Sequence, residues 1–270
     1  MNYKLDVELA PELEEYREKI EVTIKPYIEI ILGTNQEPNW WESKFGGLPY
    51  LPKGFEYPTT PEGNYLFLLA QINFAEVPHL ENFPDKGILQ FYVANDELYG
   101  LNYENHATQT GFRVLYFPEP DLNIENIVTN YEFLPNISQY GLPISGCCSL
   151  QFMPKYAPIS YNDFQFTELL GDDIYNLLSE DDRIFDEYTN RLSPAGHKIG
   201  GYPDFTQTDM RYFYNANKQE PYILLFQMDT DANDVIDVMW GDAGIGNFFI
   251  QESALKNLDF SSVLYNWDCG

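Results

Sequence analysis

Cysteine, histidine and basic side chains are all scarce in this 270-residue chain, which holds three Cys, three His and fifteen Lys plus Arg. Cys147 and Cys148 are adjacent and Cys269 is penultimate. An odd count without C-x-x-C spacing argues against a disulfide framework and a thiolate zinc site, and fits a reducing cytoplasm. His79, His106 and His197 lie far apart, so no helical metal-binding pair exists. Forty-two Asp and Glu set against so few cations give a formal charge of -27. That field repels phosphate backbones and anionic headgroups, so neither nucleic acid nor a membrane surface is an expected partner. Long hydrophobic runs are missing as well. No segment approaches the ~18 apolar residues of a membrane-spanning helix, and residues 1–6 lack the apolar stretch of a secretory leader.

Catalytic signatures are absent too. There is no G-x-S-x-G elbow, no phosphate-binding G-x-x-x-x-G-K-[ST] loop and no G-x-G-x-x-G. The glycine-rich run 241–246 has the wrong spacing and leads into an apolar strand, not a helix. Asp229, Asp231, Asn233 and Asp234 resemble the start of a calcium loop. Asp234, however, occupies the glycine position, and Met239 or Trp240 stands where the closing Glu belongs, so a solvated turn is the reading. His197 has no orienting carboxylate in its motif and reads as a turn residue, not a general base. The expectation is no metal, no cofactor and no catalytic residue, and a protein that leans away from being an enzyme.

What the chain has in quantity is aromatic residues, 16% of the total with Tyr 21 and Phe 19, a composition that favours strands. Residues 10–20 read as an amphipathic helix, with Pro11 in its first turn. Strands are expected over 22–32, 65–74, 87–93, 112–117 and 150–153, with Pro26 placing the first of them at an edge. Residues 164–192 carry the best helical pattern of the second half. Leu169, Leu170, Ile174, Leu177 and Leu178 form its apolar face, and Asp172, Asp173, Glu180, Asp181, Asp182, Asp186 and Glu187 form an acidic one. A final helical turn is expected near 253–258.

The informative feature is self-similarity. Lys44-Phe45-Gly46-Gly47-Leu48-Pro49 matches Lys198-Ile199-Gly200-Gly201-Tyr202-Pro203 at an offset of 154. The run Leu68 to Ile72, which carries Gln71, matches Leu224 to Met228, which carries Gln227, at an offset of 156. The turn Asp85-Lys86-Gly87 matches Asp242-Ala243-Gly244 at 157, and an apolar strand follows each. Three blocks in the same order, drifting by three residues, indicate a duplicated unit, and the period is far too long for a solenoid. The expected fold is α+β: an internally duplicated, mainly antiparallel β architecture with pseudo-twofold symmetry and a few peripheral helices. Residues 1–145 form the first repeat and 146–270 the second, packed as one globular unit.

The shared residues have structural roles available. Paired glycines supply positive φ, Asp before Gly caps a turn, and a Gln inside an apolar strand needs loop backbone to satisfy it. The functional alternative takes the same positions, Lys44, Gly46, Gly47, Gln71, Lys198, Gly200, Gly201 and Gln227, as a ligand site. Glycine N–H groups and two lysines meeting near the dyad would bind a small anionic ligand there. Trp240 and Asp242 flank the repeated turn, where a large ring either lines a groove or covers the core edge.

These motifs resemble the YwqG-like family of uncharacterised bacterial proteins. The likeness rests on the run Ser43 to Pro52, Leu68-Leu69-Ala70-Gln71-Ile72, Gly200-Gly201-Tyr202-Pro203, Leu224-Leu225-Phe226-Gln227 and Trp240-Gly241-Asp242-Ala243-Gly244, and it spans the chain from about residue 22 onward. It implies a bacterial origin and carries no activity, cofactor or catalytic assignment. The expected function is a non-catalytic binding or interaction protein, in one form an immunity-like protein that neutralises a basic partner. The alternative is a small anionic-ligand binder or enzyme at the paired loops. Nothing in the sequence specifies an oligomeric state.

Overall fold

Several apolar runs in this chain do not alternate, and a strand without alternation must be covered on both faces. Phe67 to Asn73 and Ile88 to Val93 are buried at every position, so the sheet needs an interior on one side and a cover on the other. The computed structural model, which describes residues 3–135, 141–215 and 220–270, shows how this is met. Its elements are α1 (Pro11–Glu14), α2 (Arg17–Val22), β1 (Lys25–Leu32), β2 (Lys44–Gly46), β3 (Phe67–Asn73), β4 (Ile88–Val93), β5 (Phe112–Phe117) and β6 (Ile144–Ala157). There follow α3 (Phe166–Leu170), α4 (Asp172–Glu180), α5 (Asp182–Glu187), β7 (Lys198–Gly200), α6 (Arg211–Asn215), β8 (Tyr222–Asp229), β9 (Asp231–Ala232), β10 (Ile236–Val238), β11 (Ile245–Gln251), α7 (Glu252–Lys256) and β12 (Leu264–Asp268).

The strands form one antiparallel sheet in the order β12-β11-β8-β7-β1-β6-β2-β3-β4-β5, with β9 and β10 off that path. It curls into a nearly closed barrel. The end strands β5 and β12 approach through the rings of Phe112 and Tyr265, 5.1 Å apart, and the loop before β5 bonds β12 where Tyr265 N–H donates to the His106 carbonyl at 2.9 Å. The interior is aromatic. Phe91 packs on Phe226 at 4.7 Å and on Phe248 at 4.8 Å, and Phe45 reaches Phe226 at 5.9 Å. The fold is therefore mainly antiparallel β with peripheral helices, an α+β arrangement.

Local differences from the sequence reading have identifiable causes. β1 is central and not an edge, because β6 flanks one side and β7 the other; β7 pairs only Tyr27 to Glu29, so Pro26 lies just beyond that ladder. β6 runs fourteen residues where four were expected. Its partners change along its length, from β10 to β2 to β1, and its mixed burial hides any simple alternation. The 145/146 boundary falls inside this continuous strand. The stretch 164–192 is broken into α3, α4 and α5 by Gly171, at φ 95°, and by Asp181, which is extended and caps α5 by accepting from Arg183 and Ile184 N–H. Leu170, Ile174 and Leu178 face inward as expected, whereas Leu169 is exposed. The 10–20 helix is likewise split into α1 and α2. These helices pack together around Leu13, Ile20, Phe166, Ile174, Ile184 and Tyr188. The layer is tied to the barrel where Ile159 N–H donates to Thr23 Oγ1 at 3.1 Å and Tyr202 Oη donates to the Thr23 carbonyl at 2.8 Å.

The barrel interior generates a direct expectation. Phe226 is fully buried among three other phenylalanines, so Phe226→Ala should lower unfolding free energy by about 3–5 kcal/mol. Urea denaturation would register that as a lower midpoint at unchanged slope.

Candidate functional site

The candidate residues sit on the outer face of the sheet, under two covering loops. Lys44 on β2 pairs in register with Gln71 on β3, which pairs with Gln90 on β4. Lys198 on β7 pairs with Gln227 on β8, which pairs with Asn247 on β11. Each row is polar, buried and roofed by loop backbone.

In the first row, Gln71 Oε1 accepts from Tyr50 N–H at 2.7 Å, and Nε2 donates to the Trp40 and Glu42 carbonyls, both at 2.8 Å. Gln90 Nε2 donates to the Tyr50 carbonyl and to Gln71 Oε1, while its Oε1 accepts from Tyr92 Oη at 2.9 Å. In the second row, Gln227 Oε1 accepts from Asp204 N–H and Nε2 donates to the Gly196 carbonyl, each at 2.8 Å. Asn247 Nδ2 donates to the Asp204 carbonyl at 2.9 Å. Phe249 lies two residues beyond Asn247, as Tyr92 does beyond Gln90, and a phenyl ring brings no hydroxyl. Asn247 Oδ1 is left without a partner.

The lysines are buried, each 3% exposed. Lys44 Nζ donates to the Asn39 carbonyl at 2.8 Å and the Leu48 carbonyl at 3.4 Å, with no carboxylate in bonding range among the described residues. Burial pushes its pKa down to about 8. Lys198 Nζ donates to the Pro194 and Tyr202 carbonyls and is ion-paired to Asp204 at 2.7 Å. The two lysines do not meet. β6 and β1 lie between β2 and β7, which is three strand spacings, or ~14 Å.

The glycines are tightly packed. Gly46 and Gly47 have φ of 64° and 70°, and Gly200 and Gly201 have 71° and 72°. A Cβ on Gly46 would come within 2.3 Å of the Gly146 carbonyl oxygen, and one on Gly201 within 2.8 Å of Tyr27 Cβ. Both pairs therefore serve a left-handed turn held against neighbouring residues. Trp240 is fully buried in the core beside Tyr99 and Tyr265, and its indole Nε1 has no partner. Asp242 is exposed, and its carboxylate caps nothing among the described residues; the turn is closed instead by Gly244 N–H donating to the Trp240 carbonyl at 2.7 Å.

His197 acquires the carboxylate its motif lacked: Asp231 lies 3.5 Å from Nε2. Its Nδ1 accepts from Asp229 N–H at 3.0 Å, so that lone pair is occupied and the proton resides on Nε2. Ser43, its counterpart in the first loop, does the same job, accepting from Asn73 N–H at 2.9 Å. His197 therefore holds a strand end through Nδ1, while its buried Nε2 has no hydrogen-bond partner among the described residues and only approaches Asp231. Asp229 accepts from Gly196 and Thr230 N–H, and Asn233 from Val235 and Ile236 N–H, so these acidic-turn side chains serve the backbone. Among the described residues, no group of three or more His, Cys, Asp or Glu is placed to hold a metal ion, and no helix is long and apolar enough to cross a membrane.

Sequence reading missed three features. Gln90 and Asn247 lie at the same 157 offset as the turn before them and were readable from it. Asp204 completes the Lys198 pair from six residues downstream. Arg211, buried, donates to Asp163 and Asp209, each at 2.6 Å; Asp209 is two residues away, but Asp163, 48 residues upstream, leaves no local signal. Three surface cavities, of about 720, 340 and 190 Å³, are lined by other residues than those of the two rows.

The lysines behave differently under test. Lys198→Met strands a largely buried Asp204 and should cost about 3 kcal/mol or more, most of it recovered when Asp204→Asn is added. For Lys44 the sign runs the other way with pH. Between pH 8 and 10.5 the unfolded chain keeps the proton and the folded chain does not, so stability rises with pH across that window. Chemical denaturation at pH 7.5 and 9.5 should show wild type gaining on Lys44→Met.

The model of the family described as a domain of unknown function (DUF1963) matches residues 43–269, and the chain belongs to that family. No curated protein matches the chain.

Proposed function

We propose that this member of the DUF1963 family is a non-catalytic interaction protein whose acidic exterior receives a basic protein partner. The observation that carries the reading is where the charge sits. Lys44, Lys198 and Arg211 are spent inside, on loop carbonyls and buried carboxylates. Outside, Asp172, Asp173, Glu180, Asp182 and Asp186 are exposed along α4 and α5 on a helical layer whose apolar side is already packed. Carboxylates that cap nothing and pair with nothing among the described residues leave an uncompensated field, which steers a cationic surface toward this layer. An immunity-like role, neutralising a basic toxin in a bacterial cytoplasm, is the concrete form of this proposal.

The rival reading, a small anionic ligand or a reaction at the paired loops, has less support. Gln71 and Gln227 are fully buried and bonded to loop backbone, and the paired glycines press on neighbouring residues. The same correspondences favour descent of the two loops from one duplicated unit with a pseudo-twofold relation, residues 1–145 and 146–270, and a YwqG-like assignment within the family. The two lysines reach carbonyls at matching distances along the chain, and successive amides bind the same loop residue.

The test is capture from the native host at low salt. A basic protein should be retained and released by moderate salt, because the attraction is screened. A variant carrying Asp172→Asn, Asp173→Asn, Glu180→Gln, Asp182→Asn and Asp186→Asn should associate at least ~10-fold more slowly with the captured protein. Recovery of no basic protein, or an unchanged rate for the variant, would sink the proposal.

A further inference from the structure

The cavity of about 190 Å³ lies apart from the acidic layer and adjoins the end of the second polar row. It opens beside the end strand β12 and is lined by Tyr103, His106, Gln207, Asn266, Trp267 and Asp268 among others. Two of these are almost wholly buried, His106 at 2% exposure and Asn266 at 4%. His106 Nδ1 lies 3.0 Å from the Tyr265 carbonyl oxygen, which only accepts, so Nδ1 carries the proton and Nε2 remains a bare acceptor. Burial holds the His106 pKa below its ordinary value and keeps the ring neutral.

Asn266 sits on the next strand opposite Asn247, at the far end of the second polar row. Its side-chain amide has no hydrogen-bond partner among the described residues, and neither does the fully buried Asn247 Oδ1 beside it. Asp268 follows two residues along the same strand face. Its carboxylate is fixed by the N–H groups of Thr206 at 3.2 Å and Gln207 at 3.0 Å, one on each oxygen, and by the Thr206 side chain, which still leaves acceptor capacity on a carboxylate with about four lone-pair sites. Burial raises the Asp268 pKa, and no cation is ion-paired to it among the described residues. The cavity thus gathers acceptors and one uncompensated carboxylate beside the Tyr103 ring.

We propose that this cavity binds a small primary ammonium compound. An R–NH3⁺ group has three N–H donors, and the cavity offers three acceptors: the Asp268 carboxylate, His106 Nε2 and Asn266 Oδ1. Tyr103 adds an aromatic face suited to a cation and a short alkyl chain. A volume of about 190 Å³ equals roughly six waters at ≈30 Å³ each, which limits the ligand to a few carbons. The site is separate from the acidic helical layer, so its success or failure is independent of the partner proposed above.

The probe is n-butylammonium chloride, titrated calorimetrically into the full chain. Saturable binding with Kd of order ~1 mM is expected, with 1-butanol and tetramethylammonium at least ~10-fold weaker because neither brings three N–H donors on a cation. Asp268→Asn and Asn266→Ala should each weaken binding ~10-fold. Tyr103 is exposed, so Tyr103→Ala should leave the unliganded melting temperature unchanged and weaken binding ~3-fold, which keeps the test open if a β12 variant misfolds. Absence of saturable heat up to ~50 mM probe, equal affinity for 1-butanol, or equal affinity in the Tyr103→Ala chain would overturn the proposal.

Discussion

A loop laid over a sheet buries its own backbone, and each N–H and carbonyl so covered needs a partner inside the protein. Here the outer face of the sheet supplies those partners from four amide side chains. Gln71 and Gln90 hold Trp40, Glu42 and Tyr50; Gln227 and Asn247 hold Gly196 and Asp204. The double glycines, the buried lysines and the Ser43 and His197 acceptors are all consequences of that arrangement. They turn the chain, satisfy the remaining loop carbonyls, or cap the last strand N–H. An amide suits this position because it donates and accepts at once, which an apolar side chain or a carboxylate cannot do.

The two loops solve the same problem with unequal completeness. Lys198 is neutralised by Asp204, and the position that would serve Lys44 in the same way is occupied by Tyr50, whose hydroxyl instead accepts from Asp121 N–H at 2.8 Å. Lys44 therefore carries its burial as a depressed pKa, where Lys198 carries its burial as an ion pair. At the amides the imbalance is reversed. Tyr92 completes Gln90, and Phe249 leaves Asn247 incomplete. That deficit lies beside Asn266 and the cavity at β12, so the unsatisfied acceptor capacity of the second row and a candidate pocket occur at the same sheet end.

Charge is sorted by the same economy of partners. The cations placed inside answer carbonyls and carboxylates that would otherwise be orphaned. The exposed carboxylates of α4 and α5 answer nothing among the described residues, and the apolar stripe beneath them is already packed against α1, α2, Ile159 and Tyr202. A surface of that kind contributes little to its own fold and is free to act on another molecule.

The sequence by itself determined the β-rich class, the positions of β3, β4, β5, β8 and β11 to within a few residues, and the correspondence between the two glycine loops. Each of these is written in local pattern: apolar runs, turn residues and a recurring order. It also held Gln90 and Asn247 at a matching offset, a signal overlooked because an amide in an apolar strand has no meaning until its roof is known. Only the tertiary structure decided that β1 is central, that β6 is long, that the lysines stand apart, and that Asp204 pairs with Lys198 and Asp163 with Arg211. Those outcomes depend on pairings and burial between residues distant in the chain, and a hydrogen-bond partner more than thirty residues away, as Ser43 and Glu76 are, leaves no trace in local spacing.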